Sequence, residues 1–368
     1  MRLKVNGKKS SNKGASVGFG KSIIGLDIGQ NSIRMVQLSG KSINNIQVEK
    51  YAIEYLPQGV VSGKEIVDFE QLVSYLQQCY SKLNTSCKLA NISLPFSDVT
   101  IEENVHYNPK DVEAPLEEIV NEQVSIVGSL DEMNYDWTVL SEDEETQDQT
   151  VLIVATRKDN VERCVDLADE IGVKLANVDV DLFASANAFL YADAVEGGEF
   201  SYERIALFDV GDTSMKCVIM DGSKILYKQE SSLGLDQLLQ LIQRDYQVDF
   251  NQAQGMVFDL SLQPNGFKDW IRSGFNMQVA QEIQRCIQFF LTTQTVGENS
   301  IKQIFLSGSA CVAKTDLENI VYGQTGIAVH QVAPIGLANN KTKTNSEQFE
   351  REANALTTAF GLALRGLV

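Results

Sequence analysis

Short apolar runs of strand length alternate with amphipathic segments along this chain. Near the start, three apolar runs predict a hairpin and a third strand: Ile23–Ile28, Ile33–Leu38 and Ile46–Ile53. Apolar residues then recur at helical spacing over Phe69–Leu83, which predicts a helix with one buried face. The run Leu89–Pro95 ends in a proline and predicts another strand. Strands interspersed with helices indicate a mixed α/β fold.

Residues 99–175 have the pattern of a small inserted α+β module. Its predicted elements are a strand, a helix, two strands and a helix, at Val99–Tyr107, Pro115–Val127, Tyr135–Leu140, Thr150–Ala155 and Val161–Ile171. We therefore predict four parts of the chain. They are a flexible tail at 1–21, a first lobe made of 22–98 and 176–204, the module at 99–175, and a second lobe at 205–368.

The second half of the chain repeats the alternation of apolar runs and amphipathic segments. Helices are predicted at Leu235–Tyr246, Phe275–Thr293 and Glu352–Leu364, and a strand at Ile301–Leu306. The segment after Tyr246 is polar and rich in turn residues, and residues 338–349 are polar enough to predict a loop.

Charge and composition narrow the range of functions. The formal net charge is −18, which argues against nucleic-acid binding and favours a basic partner. No apolar stretch approaches the roughly 18 residues that a membrane span needs, so we expect no membrane insertion. The six cysteines are scattered without a Cys-x-x-Cys pair, which is typical of reduced thiols in a cytosol-like compartment. Basic residues dominate the tail at 1–21.

Two hairpins carry the strongest chemical signal. Each has an apolar strand, an Asp-x-Gly turn with small polar residues, and a second apolar strand, at Ile24–Arg34 and Ile205–Lys216. Turn N–H groups beside a glycine form a nest that binds phosphate. Asp27 and Asp209 are expected to hold Mg²⁺ through water. The predicted phosphate-binding residues are Gly29, Gln30, Asn31 and Ser32 in the first turn, and Gly211, Asp212, Thr213 and Ser214 in the second.

Further candidates lie outside the hairpins, and each has a structural alternative. Gly308 and Ser309 end a strand and are predicted to pack on adenine or ribose, although Gly308 could equally form only a tight turn. Glu282 and Arg285 are predicted to reach the adenosine, or else to form a solvated helix face. Asp181 begins a predicted helix that faces the cleft. It is the candidate catalytic carboxylate that orients a water, or else a helix N-cap.

The order of these segments resembles the PilM family, the actin-like proteins of type IV pilus assembly. The resemblance runs from about residue 22 to 368 and includes the first phosphate turn. Its other segments are Leu152–Lys158, Val178–Ala184, Gln243–Tyr246 and Gly361–Gly366. It implies an actin-like ATPase fold, with two lobes around a nucleotide cleft and an FtsA-like inserted module.

The resemblance also implies a function. It implies an ATP-binding scaffold on the cytoplasmic face of the bacterial inner membrane, which docks the cytoplasmic N-terminal tail of a PilN-like membrane protein. Pilus ATPases and self-association are further candidate partners. The chain departs from the family pattern at Gln30, Asn31, Asp212, Leu233 and Ser309. A carboxylate at position 212 repels phosphate unless Mg²⁺ or a turned-away side chain relieves the repulsion.

Two other functions fit the same fold. One is a sugar-kinase-like phosphotransferase, for which Asp181 is the available base. The other is an FtsA-like filament protein that tethers a polymer to the membrane. Because no second catalytic group is evident, we expect at most slow ATP hydrolysis.

Overall fold

The computed structural model describes residues 20–63, 65–111, 113–198, 203–222, 224–293, 300–311 and 316–367, so most of the predicted tail lies outside it. The strands are β1 Ser22–Ile28, β2 Ser32–Gly40, β3 Ile46–Tyr55, β4 Val61–Ser62, β5 Glu65–Ile66, β6 Leu89–Leu94, β7 Thr100–Tyr107, β8 Met133–Glu142, β9 Gln149–Arg157, β10 Lys174–Val180, β11 Arg204–Val210, β12 Met215–Asp221, β13 Lys224–Ser231, β14 Gln303–Ser307, β15 Ala328–Gln331 and β16 Asn339–Asn340.

Helices follow most of the strands. The helices are α1 Phe69–Leu83, α2 Leu116–Val127, α3 Lys158–Glu170, α4 Asp181–Glu196, α5 Leu235–Tyr246, α6 Phe250–Phe258, α7 Phe267–Ile271, α8 Met277–Thr293, α9 Leu317–Thr325, α10 Ser346–Glu352 and α11 Thr357–Leu367. Among the described residues, no helix is long and apolar enough to cross a bilayer.

Two mixed sheets repeat the same arrangement. The first has the order β10-β6-β1-β2-β3-β16 and the second β13-β12-β11-β14-β15. In each sheet a hairpin, β1–β2 or β11–β12, lies beside a parallel strand, β6 or β14. The carboxyl ends of parallel strands share one edge of a sheet, which is where ligand crevices form in such folds. The duplicated hairpins predicted from sequence are therefore confirmed.

The inserted module has its own small core. Its three strands pair antiparallel in the order β7-β9-β8, and α2 covers one face. Both β7 and β8 are edge strands of this sheet. Helix α3 packs elsewhere, because Val161, Cys164 and Leu167 join the core of the first lobe. The module that folds around its own core is therefore shorter than the predicted residues 99–175.

The C-terminal segment also belongs with the first lobe. Strand β16 pairs with β3, and α11 packs between the first sheet and α4. Close packing is possible because Gly25 lies against the backbone of Ala359, and Gly361 against the backbone of Ala184. This packing differs from the predicted division, which placed all of 205–368 in the second lobe. Helical periodicity identifies a buried face but does not say which sheet will cover it.

Several local predictions need correction. The polar segment after Tyr246 contains α6, whose first turn is held by a capping box between Asp249 and Gln252. The predicted loop at 338–349 contains β16 and the start of α10, which Asn345 caps through its side chain. Helix α8 begins at Met277, after a π-helical turn, rather than at Phe275. Capping residues were the available signal, since α6 and α10 are too short to show a clear helical period.

We predict that Gly361→Ala destabilises the protein by about 2–3 kcal/mol, because the added methyl group would overlap the Ala184 carbonyl. Urea unfolding would measure this loss. Gly323→Ala is the matched control, since a methyl group at position 323 in α9 meets nothing within 4 Å. Equal midpoints for Gly361→Ala and wild type would contradict this packing.

Candidate functional site

The two phosphate turns meet at a cleft between the lobes. A cavity of about 150 Å³ lies there. Residues of both hairpins line it, together with the start of α4, the residues that follow β14 and the segment before α11. The two hairpins have the same eight-residue pattern, an Asp, Gly, Ser and cation at equal spacing, from Asp27 to Arg34 and from Asp209 to Lys216. Each aspartate is also the strand partner of the cation in its own hairpin.

The backbone of both turns is held in the same way. The amide of Gly29 donates to the carbonyl of Ser32 at 2.9 Å, and the amide of Gly211 to that of Ser214 at 3.0 Å. The first turn of α5 secures the second loop, because the amide of Asp236 donates to the Asp212 carbonyl at 2.8 Å. Both turns are thus prearranged by the fold.

Arg34 joins the two lobes inside the cleft. Its Nη1 donates to Oδ2 of Asp27 at 2.9 Å, and its Nη2 to Oδ1 of Asp212 at 2.6 Å. Burial acts to lower the pKa of Arg34, but the Asp212 and Asp27 carboxylates outweigh it and raise that pKa. Burial raises the pKa of Asp27, and Arg34 opposes that shift. Arg34 therefore stays charged between two carboxylates.

Asp212 lies over the first phosphate turn. Besides Arg34, its carboxylate accepts a hydrogen bond from the backbone amide of Asn31 at 3.2 Å and from Oγ of Ser309 at 2.5 Å. Only 6% of Asp212 is exposed. Gly29 lies beneath it, where an added methyl group would force the Asp212 carboxylate to shift.

A second ion pair crosses the cleft. Nζ of Lys216 lies 2.7 Å from Oδ2 of Asp181. The other oxygen, Oδ1, accepts the backbone amides of Phe96 and Leu182 at 2.9 and 2.7 Å. Asp181 is the first helical residue of α4, and Val180 is the N-cap, so the N-cap alternative for Asp181 is wrong. Burial raises the pKa of Asp181, and Lys216 opposes that shift.

Asp209 sits between groups from both lobes. Its Oδ2 accepts the hydroxyl of Ser185 at 2.9 Å. Gly308, with φ +104°, lies directly against the Asp209 carboxylate, so the glycine provides both a tight turn and a close approach. Among the described residues, no group of three or more His, Cys, Asp or Glu side chains is arranged to hold a metal. Binding of Mg²⁺ through water at Asp27 and Asp209 stays a prediction.

The other candidates are distributed differently. Gln30 and Thr213 line the cavity, and Ser214 does so while donating to Oε1 of Glu230 at 2.5 Å. Asn31 and Ser32 are buried and do not line it. Glu282 and Arg285 also lie outside the lining and pair with each other on α8, with Arg285 exposed. Arg285 thus lies on a solvated helix face, whereas the side chain of Glu282 is only 18% exposed.

Sequence reasoning missed the two cations. Arg34 and Lys216 each stand seven residues after the aspartate of their hairpin, and this repeated spacing was the available signal. Ser185, Thr357 and Thr358 were also missed, because they come from helices distant in sequence.

We predict that Lys216→Met destabilises the protein by about 3–5 kcal/mol, because it leaves the buried Asp181 without its cation. Lys82→Met is the matched control. Lys82 pairs with Glu54 but its side chain is 59% exposed, so the loss should stay below about 1 kcal/mol.

The pH dependence of Lys216→Met tests the cause of this loss. Without Lys216, the pKa of Asp181 rises further, so folded protein binds a proton that unfolded protein releases. Urea unfolding should therefore show a smaller loss at mildly acidic pH and a larger one above the raised pKa. A loss that does not change with pH would count against the ion pair.

Comparisons with known proteins agree with this architecture. The structure is similar to a solved PilM–PilN type IV pilus biogenesis complex, with a TM-score of 0.76 and 20% identity over 94% of this chain and 98% of that one. It is also similar to the ethanolamine utilization protein EutJ from Carboxydothermus hydrogenoformans, with a TM-score of 0.57 and 13% identity over 94% and 89%. The fold is the actin-like ATPase fold.

A sequence model of one family matches nearly the whole described chain. The match is to the type IV pilus assembly protein PilM and spans residues 25–367, which includes both phosphate turns, the inserted module and α11. The chain belongs to the PilM family of type IV pilus assembly proteins.

Proposed function

We propose that this protein is an actin-like scaffold of the type IV pilus machinery, at the cytoplasmic face of the inner membrane. We further propose that it docks the cytoplasmic N-terminal segment of a PilN-like membrane protein. The observation that carries this proposal is family membership over residues 25–367. The likeness of the whole chain to the PilM–PilN complex supports it.

The docking surface we propose is a groove on the inserted module. A cavity of about 460 Å³ lies between β7 and α2, and Lys228 of β13 reaches it from the second lobe. Strand β7 is an edge strand, so one row of its backbone groups is not paired within the module's sheet. An extended segment can add to such an edge by main-chain hydrogen bonds.

The charge of the groove favours a basic segment. Glu102 and Glu103 line it, and Nζ of Lys228 lies 2.8 Å from Oε1 of Glu103. This contact shows that Glu103 accepts a cation at this position. A lysine or arginine of the docked segment would take the place of Lys228. The net charge of −18 would speed the encounter.

ATP with Mg²⁺ is the ligand that the two turns favour by their backbone geometry, but the side chains as arranged do not fit a triphosphate. Asp212 takes the Asn31 amide of the first turn and Nη2 of Arg34. The described residues that line the cavity carry more carboxylates than cations: Asp27, Asp98, Asp181, Asp209, Asp212 and Glu230 against Arg34, Arg163 and Lys216. We therefore derive no catalytic step through ATP.

The phosphotransferase alternative gains no support from this site. A general base must accept a proton from its substrate. Both oxygens of Asp181 are already engaged, by Lys216 and by two backbone amides. Nothing specific in the described residues favours the filament alternative.

We predict that Glu103→Lys weakens docking by about tenfold or more, because it opposes a cation with a cation. Isothermal titration with a synthetic peptide that copies the N-terminal residues of the PilN-like partner would measure this. Glu144→Lys is the matched control: it changes the net charge equally, in the exposed acidic turn between β8 and β9. Equal weakening by both variants, or by neither, would place the contact outside this groove.

We also predict that purified protein hydrolyses ATP more slowly than about 1 s⁻¹, below the range usual for enzymes. The reason is that both oxygens of Asp181, the candidate base, are held by Lys216 and by two backbone amides. Phosphate release, followed in a sample and in Asp181→Asn, would test this. Turnover above that limit, abolished by Asp181→Asn, would restore the phosphotransferase hypothesis.

A further inference from the structure

Asp212 stands at a position where the two hairpins differ. In the repeated pattern it occupies the place that Gln30 has in the first turn. The side chain of Gln30 lines the cleft and accepts the amide of Gly63, a residue of its own lobe, at 2.6 Å. The side chain of Asp212 instead reaches across the cleft to the opposite turn, 178 residues away in sequence at Arg34.

The groups that hold Asp212 are those that commonly hold a phosphate oxygen. They are a backbone amide of a glycine turn, a guanidinium and a hydroxyl, from Asn31, Arg34 and Ser309. All three residues are buried, at 3%, 7% and 3% exposure. The Asp212 carboxylate is an anion of the chain itself, and its two oxygens accept these hydrogen bonds in the way that phosphate oxygens would.

The fit of this carboxylate is incomplete. Two buried donors on residues that bind this carboxylate, Nε of Arg34 and Nδ2 of Asn31, have no hydrogen-bond partner. Unpaired buried donors carry a free-energy cost. A phosphate group has more acceptor oxygens than a carboxylate and could satisfy such donors, but only after the Asp212 side chain has moved away.

We propose that Asp212 is a tethered anion that fills the phosphate position of the cleft and holds the two lobes together without nucleotide. This inference rests on the proposed function only in assigning the cleft as the nucleotide site of the fold. Because Asp212 is covalently part of the chain, its interaction with the first turn is intramolecular. A free nucleotide must therefore compete with a high effective concentration of carboxylate. Wild-type protein therefore binds nucleotide weakly or not at all.

The same contacts would keep the shape of the docking groove the same with and without nucleotide. Arg34 and Asn31 belong to the first lobe, while Asp212 and Ser309 belong to the second, so the carboxylate bridges the lobes. The groove includes Lys228 of the second lobe and β7 of the module. A cleft that is closed by its own side chain presents this groove at every nucleotide concentration.

Removal of the carboxylate tests the proposal. Asp212→Ala should melt several degrees below wild type, and Asp212→Asn, which keeps the shape and loses the charge, should fall between them. Mg-ADP at about 1 mM should leave the melting temperature of wild type unchanged and should recover at least half of the loss in Asp212→Ala. Titration calorimetry should show at least about tenfold tighter Mg-ADP binding by Asp212→Ala.

Leu239→Ala is the matched control for stability alone. Leu239 is fully buried in α5, away from the cavity lining, so its loss should not be recovered by Mg-ADP. Equal recovery of Leu239→Ala would indicate a general salt effect and overturn the proposal. So would equal Mg-ADP affinity of wild type and Asp212→Ala, or melting temperatures of both Asp212 variants that match wild type.

The docking test stays separate from this one. Peptide titration of wild-type protein needs no nucleotide, so a failure of docking leaves the Asp212 result intact. If Asp212→Ala does not fold, both the melting temperature and Mg-ADP binding can be measured on Asp212→Asn. In that case unchanged melting and unchanged Mg-ADP binding of Asp212→Asn would overturn the proposal.

Discussion

The buried guanidinium of Arg34 is the constraint on which the arrangement of the cleft depends. A charged group can be buried only where other groups compensate it. Arg34 is compensated by Asp27 from its own hairpin and by Asp212 from the opposite lobe. Since the two carboxylates come from different lobes, the lobes must meet to satisfy one side chain. The pair Lys216 and Asp181 crosses the same cleft in the opposite direction.

The site is nearly symmetric because the hairpin occurs twice, and it departs from symmetry at one position in the turn. The two hairpins share strand pairing, turn hydrogen bonds and the spacing from aspartate to cation. They differ where Gln30 in one corresponds to Asp212 in the other. The neutral side chain of Gln30 accepts the amide of Gly63. A carboxylate instead takes the donors of the opposite turn, so the cleft carries an anion of its own.

The inserted module is connected to both lobes. Helix α3 follows β9 directly and packs into the core of the first lobe, while Glu103 of β7 pairs with Lys228 of the second lobe. The position of Lys228 at the groove between β7 and α2 therefore depends on how the second lobe packs against the module.

Local patterns in the sequence were sufficient for the elements and for the class of site. Apolar periodicity predicted α1 and α5 with the bounds that the structure has, and the Asp-x-Gly pattern predicted both turns. These features depend on neighbouring residues, whose effect on backbone and burial is local. The helices α6 and α10 escaped, because each has fewer than ten residues, which is too few turns for a helical period to stand out.

Tertiary structure decided which distant segments meet. The sequence predicted a helix at Glu352–Leu364, but only the fold buried α11 against the first sheet and α4. The sequence showed an acid at position 212 of a predicted phosphate turn, but only the folded chain brought its carboxylate to Arg34 and Ser309. The physical reason is that these contacts depend on the relative placement of two lobes, and no local pattern of side chains encodes that placement.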